Sequence, residues 1–211
     1  IVGQLFSKTL GYIYRIIIAR QGVEEYGIFS LGLIVYTMVL TFVGFGLHQG
    51  VLRYVAFFKS KNETYNVRLI VQYSSRIIIV LGLIFSGILF FGAKYISVTF
   101  FNNQELIIVL KVLSILIIFE SLSRIFLSSL VSLKKVQYEI VIRNVIENIL
   151  KIILTLIFLS FMELKLLSFI IAYFLATIST FILSTYMLNK ELHIFKKFKQ
   201  SISKFRNFKN Q

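Results

Sequence analysis

The sequence predicts an all-α integral membrane protein, a bundle of six transmembrane helices. Three observations carry this reading. The chain of 211 residues is 57% hydrophobic with mean hydropathy +0.84, above the roughly half-apolar composition of soluble domains. It contains charge-free runs at 28–47, 77–93 and 166–189, each about as long as a helix needs to cross the hydrocarbon core. Its Lys and Arg are also unevenly distributed between successive loops. A β-barrel needs short alternating strands, and these runs are continuous.

Taken in order, the spans are 1–19, 28–56, 69–91, 106–132, 139–161 and 167–188. The first contains Lys8 and Arg15, which interrupt it, so it is read as a span and not as a signal peptide. The second is too long for a straight perpendicular helix. It is expected to tilt, kink near Gly44, Gly46 and Gly50, or project from the membrane. Gly46 and Gly50 form a small-xxx-small pair that would let another helix approach. The fourth span contains Lys111, Glu120 and Arg124, and the fifth Glu139, Arg143, Glu147 and Lys151. Residues 1–188 form the transmembrane unit. Residues 189–211 form a basic tail in which Phe195, Phe198, Ile202 and Phe205 recur at helical spacing among Lys and Arg. This pattern suits a cytoplasmic amphipathic helix on an anionic leaflet, or a linker. The chain begins at Ile1 rather than Met, as expected of a fragment or a trimmed product.

Orientation follows from the loops. Segments 57–68, 133–138 and 189–211 hold twelve Lys and Arg, whereas 20–27, 92–105 and 162–166 hold only Arg20, Lys94 and Lys165. The positive-inside rule places the first set, and both termini, in the cytoplasm. The alternation requires six crossings.

The composition also excludes functions. The chain has 23 Lys and Arg against 9 acids, all Glu, and no Asp, Cys, Pro or Trp; its histidines are His48 and His193. Disulfides, thiolate metal sites and the usual catalytic triads cannot be assembled from this set. No catalytic residue, metal or cofactor is expected, and an enzyme is the least favoured class. The cationic tail is tethered at a membrane and lacks a recognition fold, which argues against nucleic acid.

The informative residues are the charges within the spans, because each costs at least about 2.5–3.5 kcal/mol at mid-membrane unless paired, hydrated or snorkelling. Glu139, Arg143, Glu147 and Lys151 recur every four residues on one face. They read either as a self-paired ladder or as a stripe lining an aqueous cavity, with Asn144 and Asn148 beside them. Glu120 and Arg124 share a face four residues apart among Ser121, Ser123, Ser128 and Ser129. Gln49 and Arg53 do the same in the second span. Lys8 lies mid-span without a partner on its own helix, near Tyr12 and Arg15. It either faces an anionic ligand or is buried against Glu120 or Glu147. Arg76 and Lys111 are placed to snorkel. Eight cations face three carboxylates within the spans, so converging polar faces would make a cavity that concentrates anions.

Two stretches carry a family resemblance. One is Ala19-Arg20-Gln21-Gly22-Val23-Glu24-Glu25-Tyr26-Gly27-Ile28-Phe29-Ser30-Leu31. The other is Gly44-Phe45-Gly46-Leu47-His48-Gln49-Gly50-Val51-Leu52-Arg53-Tyr54-Val55-Ala56. Together they resemble the polysaccharide (O-antigen-type) flippases of the multidrug/oligosaccharidyl-lipid/polysaccharide exporter superfamily. Gln21 alone separates Arg20 from Gly22 where the family commonly has two residues, and Val23 replaces its usual proline. The resemblance implies one lobe of a two-lobe transporter that rocks between inward-open and outward-open states. The implied cargo is an anionic, isoprenoid pyrophosphate-linked oligosaccharide, moved across the bacterial cytoplasmic membrane for surface polysaccharide export. A second lobe, covalent or in a dimer, and membrane lipids are the implied partners. On this view Lys8, Arg15, Arg53, Arg124 and Arg143 face the pyrophosphate, while Gln49, Glu120, Glu147 and Lys151 line the cavity. The competing expectations are a drug/cation antiporter of the sister branch, using Glu120 or Glu147 as the coupling carboxylate, and a non-transporting membrane fragment or scaffold.

Overall fold

In hydrocarbon a helix satisfies every backbone N–H and C=O within its own segment, and the apolar runs of this chain fold as helices. The computed structural model describes residues 2–161 and 165–192, with side chains from Lys8 on. The described residues are helical with short connections: α1 (Val2–Gln21), α2 (Val23–Gly44), α3 (Leu47–Ser60), α4 (Thr64–Tyr95), α5 (Leu106–Ser132), α6 (Val136–Glu139), α7 (Glu147–Phe161) and α8 (Lys165–Leu192). A π-helical turn, Ile96–Phe100, extends α4, and a π-helical stretch, Ile140–Ile146, joins α6 to α7. The expected amphipathic tail helix lies outside the described residues, apart from its first few positions, which continue α8.

Four of these elements are long and apolar enough to cross a membrane: Val23–Gly44, Thr64–Phe100, Leu106–Ser132 and Lys165–Leu192. The chain is a multi-pass, all-α membrane protein.

The expected single span at 28–56 is instead two helices. The helix starts at Val23, because Glu24 and Glu25 in its first turn complement the N-terminal dipole; a search for uncharged runs misses such charged turns. It stops after Gly44, where the Phe45 N–H closes onto the Thr41 carbonyl at 3.1 Å. Gly46 then takes a left-handed conformation (φ 76°) that a residue with a Cβ rarely adopts, and α3 starts anew at Leu47. The expected kink is thus a full break. Gly46 and Gly50 do not seat a neighbouring helix, since a Cβ on either would meet open space. Close approach occurs elsewhere. A Cβ on Gly32 would lie 2.5 Å from Val109 Cγ1, and one on Gly82 3.2 Å from Ile118 Cγ1. These glycines let α2 and α4 pack closely on α5.

α5 is the hub. It packs on α2, α3, α4 and α8, and Leu106, Val109, Leu110, Leu113, Leu116, Ile117 and Leu130 on it are fully buried. By contrast, α4 turns Ile77, Val80, Leu83, Ile84, Ile88 and Phe91 outward. Such an exposed apolar face is stable against lipid and would be a liability in water.

Tertiary bonds define two ends. At one, Ser132 Oγ donates to the Leu52 carbonyl (3.0 Å), and Lys135 in the α5–α6 turn pairs with Glu191 of α8. At the other, Lys165 Nζ donates to the Gln21 carbonyl (2.5 Å), joining α8 to α1. The turns at the first end are closed by αL residues. Asn62 (φ 58°) follows α3 and Lys134 (φ 64°) follows α5, with Glu63 N–H reaching Phe58 O and Lys135 N–H reaching Leu130 O. Both are Schellman closures. At the opposite end the Asn103 side chain caps α5 by accepting from the Leu106 N–H at 3.2 Å. The Glu191 carboxylate holds the Lys135 ammonium pKa above its ordinary value through their hydrogen bond.

Candidate functional site

The bundle interior contains a polar cluster built from α5, α7, the π stretch and the tyrosines of α1, α2 and α8. At its centre is Glu120, whose side chain is 10% exposed. Arg124, one turn on, donates Nε to Glu120 Oε1 at 3.0 Å. Arg143 reaches the same oxygen from the π stretch at 3.4 Å. One carboxylate thus gathers two guanidinium groups from different elements. The guanidinium side chains are 33% and 34% exposed. The carboxylate therefore lies beneath, and the cations form the accessible surface.

The ladder expected along 139–151 is only half present. Lys151 Nζ donates to Glu147 Oε1 at 2.6 Å, four residues apart, but Arg143 leaves the ladder for Glu120. The π stretch explains this. Its i→i+5 bonding widens the turn, so the four-residue face of an α-helix does not continue through Ile140–Ile146. The substitution of an interhelical pair for an intrahelical one thus follows from local backbone geometry. Asn148, beside the stripe, donates along the helix to the Asn144 carbonyl at 2.8 Å.

The Glu147–Lys151 pair is buried at 11% side-chain exposure or less. Lys151 Nζ lies 4.2 Å from the Tyr173 ring centroid of α8, a cation–π contact. The Tyr173 ring stands edge-on to Tyr36 of α2 at 6.2 Å and to Phe29 at 5.9 Å. Tyr14 of α1 and Thr155 of α7 are buried beside the pair. Glu147 Oε2 is buried with no hydrogen-bond partner among the described residues.

Of the expected site residues, then, the structure brings together Glu120, Arg124, Arg143, Glu147 and Lys151. Lys8, Arg15, Gln49 and Arg53 are exposed. Among the described residues they form no ion pair with this cluster, and Glu120 and Glu147 take other partners than Lys8. Arg76 borders a separate apolar groove between α4, α5 and α8. Lys111 is exposed and lies over the Phe90 ring at 5.5 Å. Reading the sequence missed Tyr14, Tyr36 and Tyr173, which carry no spacing signal. Thr155 was detectable, since it continues the 139–151 stripe by four residues. Among the described residues no group of three His, Cys, Asp or Glu is placed to hold a metal.

The family described as polysaccharide biosynthesis protein matches residues 1–210. The chain belongs to this family. No curated protein and no solved structure matches the chain. As a polysaccharide biosynthesis protein with four helices able to cross a bilayer, it does its work at a membrane. In the Glu120–Arg124–Arg143 cluster two partly exposed guanidinium groups share one buried carboxylate, which leaves the trio with a net positive charge.

Proposed function

We propose that the protein flips an isoprenoid pyrophosphate-linked oligosaccharide across the bacterial cytoplasmic membrane, as a transporter rather than an enzyme. The observation that carries this reading is the pairing of Arg124 and Arg143 over buried Glu120 with both guanidinium groups left partly accessible. A diphosphate crossing a low-dielectric interior needs cations that are already in place and already partly desolvated, and bidentate guanidinium groups supply them. The family's role in polysaccharide biosynthesis supports a glycan cargo. In this reading α1, α2–α3, α4, α5, α6–α7 and α8 make six crossings of one lobe. A second lobe, covalent or from a second copy, completes the cavity, and surrounding lipid covers the apolar face of α4.

The test is translocation of a fluorescent prenyl-diphosphate-linked oligosaccharide in proteoliposomes. Arg143→Ala is expected to lower the rate at least tenfold, roughly the loss of one charge-assisted hydrogen bond, with membrane insertion retained. Translocation at the wild-type rate would remove Arg143 from the path.

The proposal also sets sidedness, with both termini in the cytoplasm. The chain has no Cys, so one introduced thiol reports alone. Asn103→Cys, in the turn between α4 and α5, is expected to react with an impermeant maleimide from outside intact cells. Lys134→Cys, in the turn between α5 and α6, is expected to react only after the membrane is opened. The reverse pattern would invert the orientation.

A further inference from the structure

α4 and α8 both pack on α5, and toward the Lys135–Glu191 end of the bundle the three helices enclose a groove of about 380 Å³. Leu122 and Phe126 of α5 line it together with Val71 and Ile79 of α4 and Leu188 of α8. We infer that this groove is a binding site for an anionic glycerophospholipid, whose acyl chain lies along these side chains and whose phosphate is held at Arg76. The inference rests on the multi-pass membrane fold and not on the transport reading above.

Three observations meet here. The first concerns the chain of the lipid. The groove is walled largely by carbon and opens to the outside of the bundle. Ile79 borders it and is 39% exposed, beside the outward-facing Ile77, Val80 and Leu83 of the same helix. The hydrocarbon that covers this face of α4 therefore meets the groove directly. An unfilled gap forfeits dispersion contacts along its walls, and a flexible acyl chain restores them.

The second observation is depth. Arg76 immediately precedes the charge-free run 77–93, and Lys190 immediately follows the run 166–189. Gln72, Arg76 and Asn189 border the groove where the apolar spans give way to charge. That is the level of a phospholipid's phosphate, with the hydrocarbon core beginning beyond it.

The third is sign. Arg76 is exposed, with its guanidinium group 5.7 Å from the Tyr73 ring centroid. Arg68 lies four residues before Gln72 and seven before Ser75, on the same face of α4. Lys190 is exposed at the end of α8. No carboxylate occurs in 64–79, 121–132 or 165–190, the stretches that surround the mouth of the groove. The acids that flank α4 and α8 at this end are engaged, Glu63 by Asn66 and Glu191 by Lys135. Cations therefore dominate the mouth, and a phosphodiester with no ammonium of its own suits it better than a zwitterionic headgroup. Basic pockets between spanning helices are sites of this kind for anionic headgroups.

The chain has no Trp, so one introduced indole reports alone. The experiment places the full chain in bilayers containing brominated phosphatidylglycerol or brominated phosphatidylcholine and reads quenching against mole fraction. Ile79→Trp puts the reporter at the groove. Ile88→Trp, at a position 62% exposed on the outward face of α4, is the control. Quenching of Ile79→Trp is expected to saturate at low mole fraction of phosphatidylglycerol, with about a tenfold preference over phosphatidylcholine, the worth of one charge-assisted hydrogen bond. Ile88→Trp is expected to follow the bulk composition with no preference. Arg76→Gln in the Ile79→Trp background is expected to bring the preference below about twofold, and Arg76→Lys, which keeps the charge, to retain most of it. Equal quenching by the two lipids at Ile79→Trp would overturn the inference, as would a preference that survives Arg76→Gln. Displacement of phosphatidylglycerol by a prenyl diphosphate at equal mole fraction would also overturn it, by assigning the groove to the cargo.

Discussion

Glu120→Ala is expected to destabilise the protein by about 3–5 kcal/mol, the usual cost of stranding buried charge. The reason is geometric: a single carboxylate oxygen receives both Arg124 (3.0 Å) and Arg143 (3.4 Å). Without it, neither guanidinium group keeps an ion-pair partner among the described residues. Each is only one-third exposed, so water relieves the loss in part. For a chain of this size the loss corresponds to a fall of roughly 10 °C in the unfolding midpoint, measurable in detergent by following exposure of an introduced thiol. Glu120→Gln keeps the acceptor and the volume and loses the charge, so it is expected to fall between wild type and alanine. A midpoint for Glu120→Ala within about 2 °C of wild type would show that the arginines are neutralised by something else. The same variant is expected to abolish translocation, because the cations then no longer sit at fixed positions.

Lys151→Met has the second large effect. The lysine is the sole described partner of Glu147, through Oε1 at 2.6 Å, and Oε2 has none. Methionine keeps the apolar stem against Tyr173 but leaves a buried carboxylate with neither oxygen paired. A loss of about 3–5 kcal/mol is expected. The decisive comparison is the double variant Glu147→Gln/Lys151→Met. Replacing both charges with groups of similar volume is often neutral, so most of the stability is expected to return. The coupling energy from the full cycle separates the pair from its surroundings. A double variant as unstable as Lys151→Met alone would show that the lysine's contact with Tyr173 (4.2 Å) carries the effect. Translocation by a stable double variant would assign the pair a structural role, and loss of translocation would place it in the transport cycle.

These expectations concern residues whose chemistry was partly legible before any fold was known. Four-residue spacing placed Glu120 with Arg124 and Glu147 with Lys151, and both pairs exist. A spacing rule works for contacts within one α-helix because the helix fixes the separation. Arg143 lay on the same stripe yet pairs across helices, because a π stretch re-phases its face. Lys8, Arg15 and Arg53 shared sign and depth with the clustered arginines, but sign and depth do not specify azimuth, and they are exposed.

The sequence alone determined that this is a helical membrane protein, and roughly where its helices run. Hydrocarbon imposes one requirement on every spanning segment, an internally satisfied backbone under an apolar surface, and that requirement is written locally. The tertiary structure decided which charges meet and that the second span breaks at Gly46. Those outcomes depend on how helices distant in the chain rotate and close against one another, which no local pattern of residues encodes.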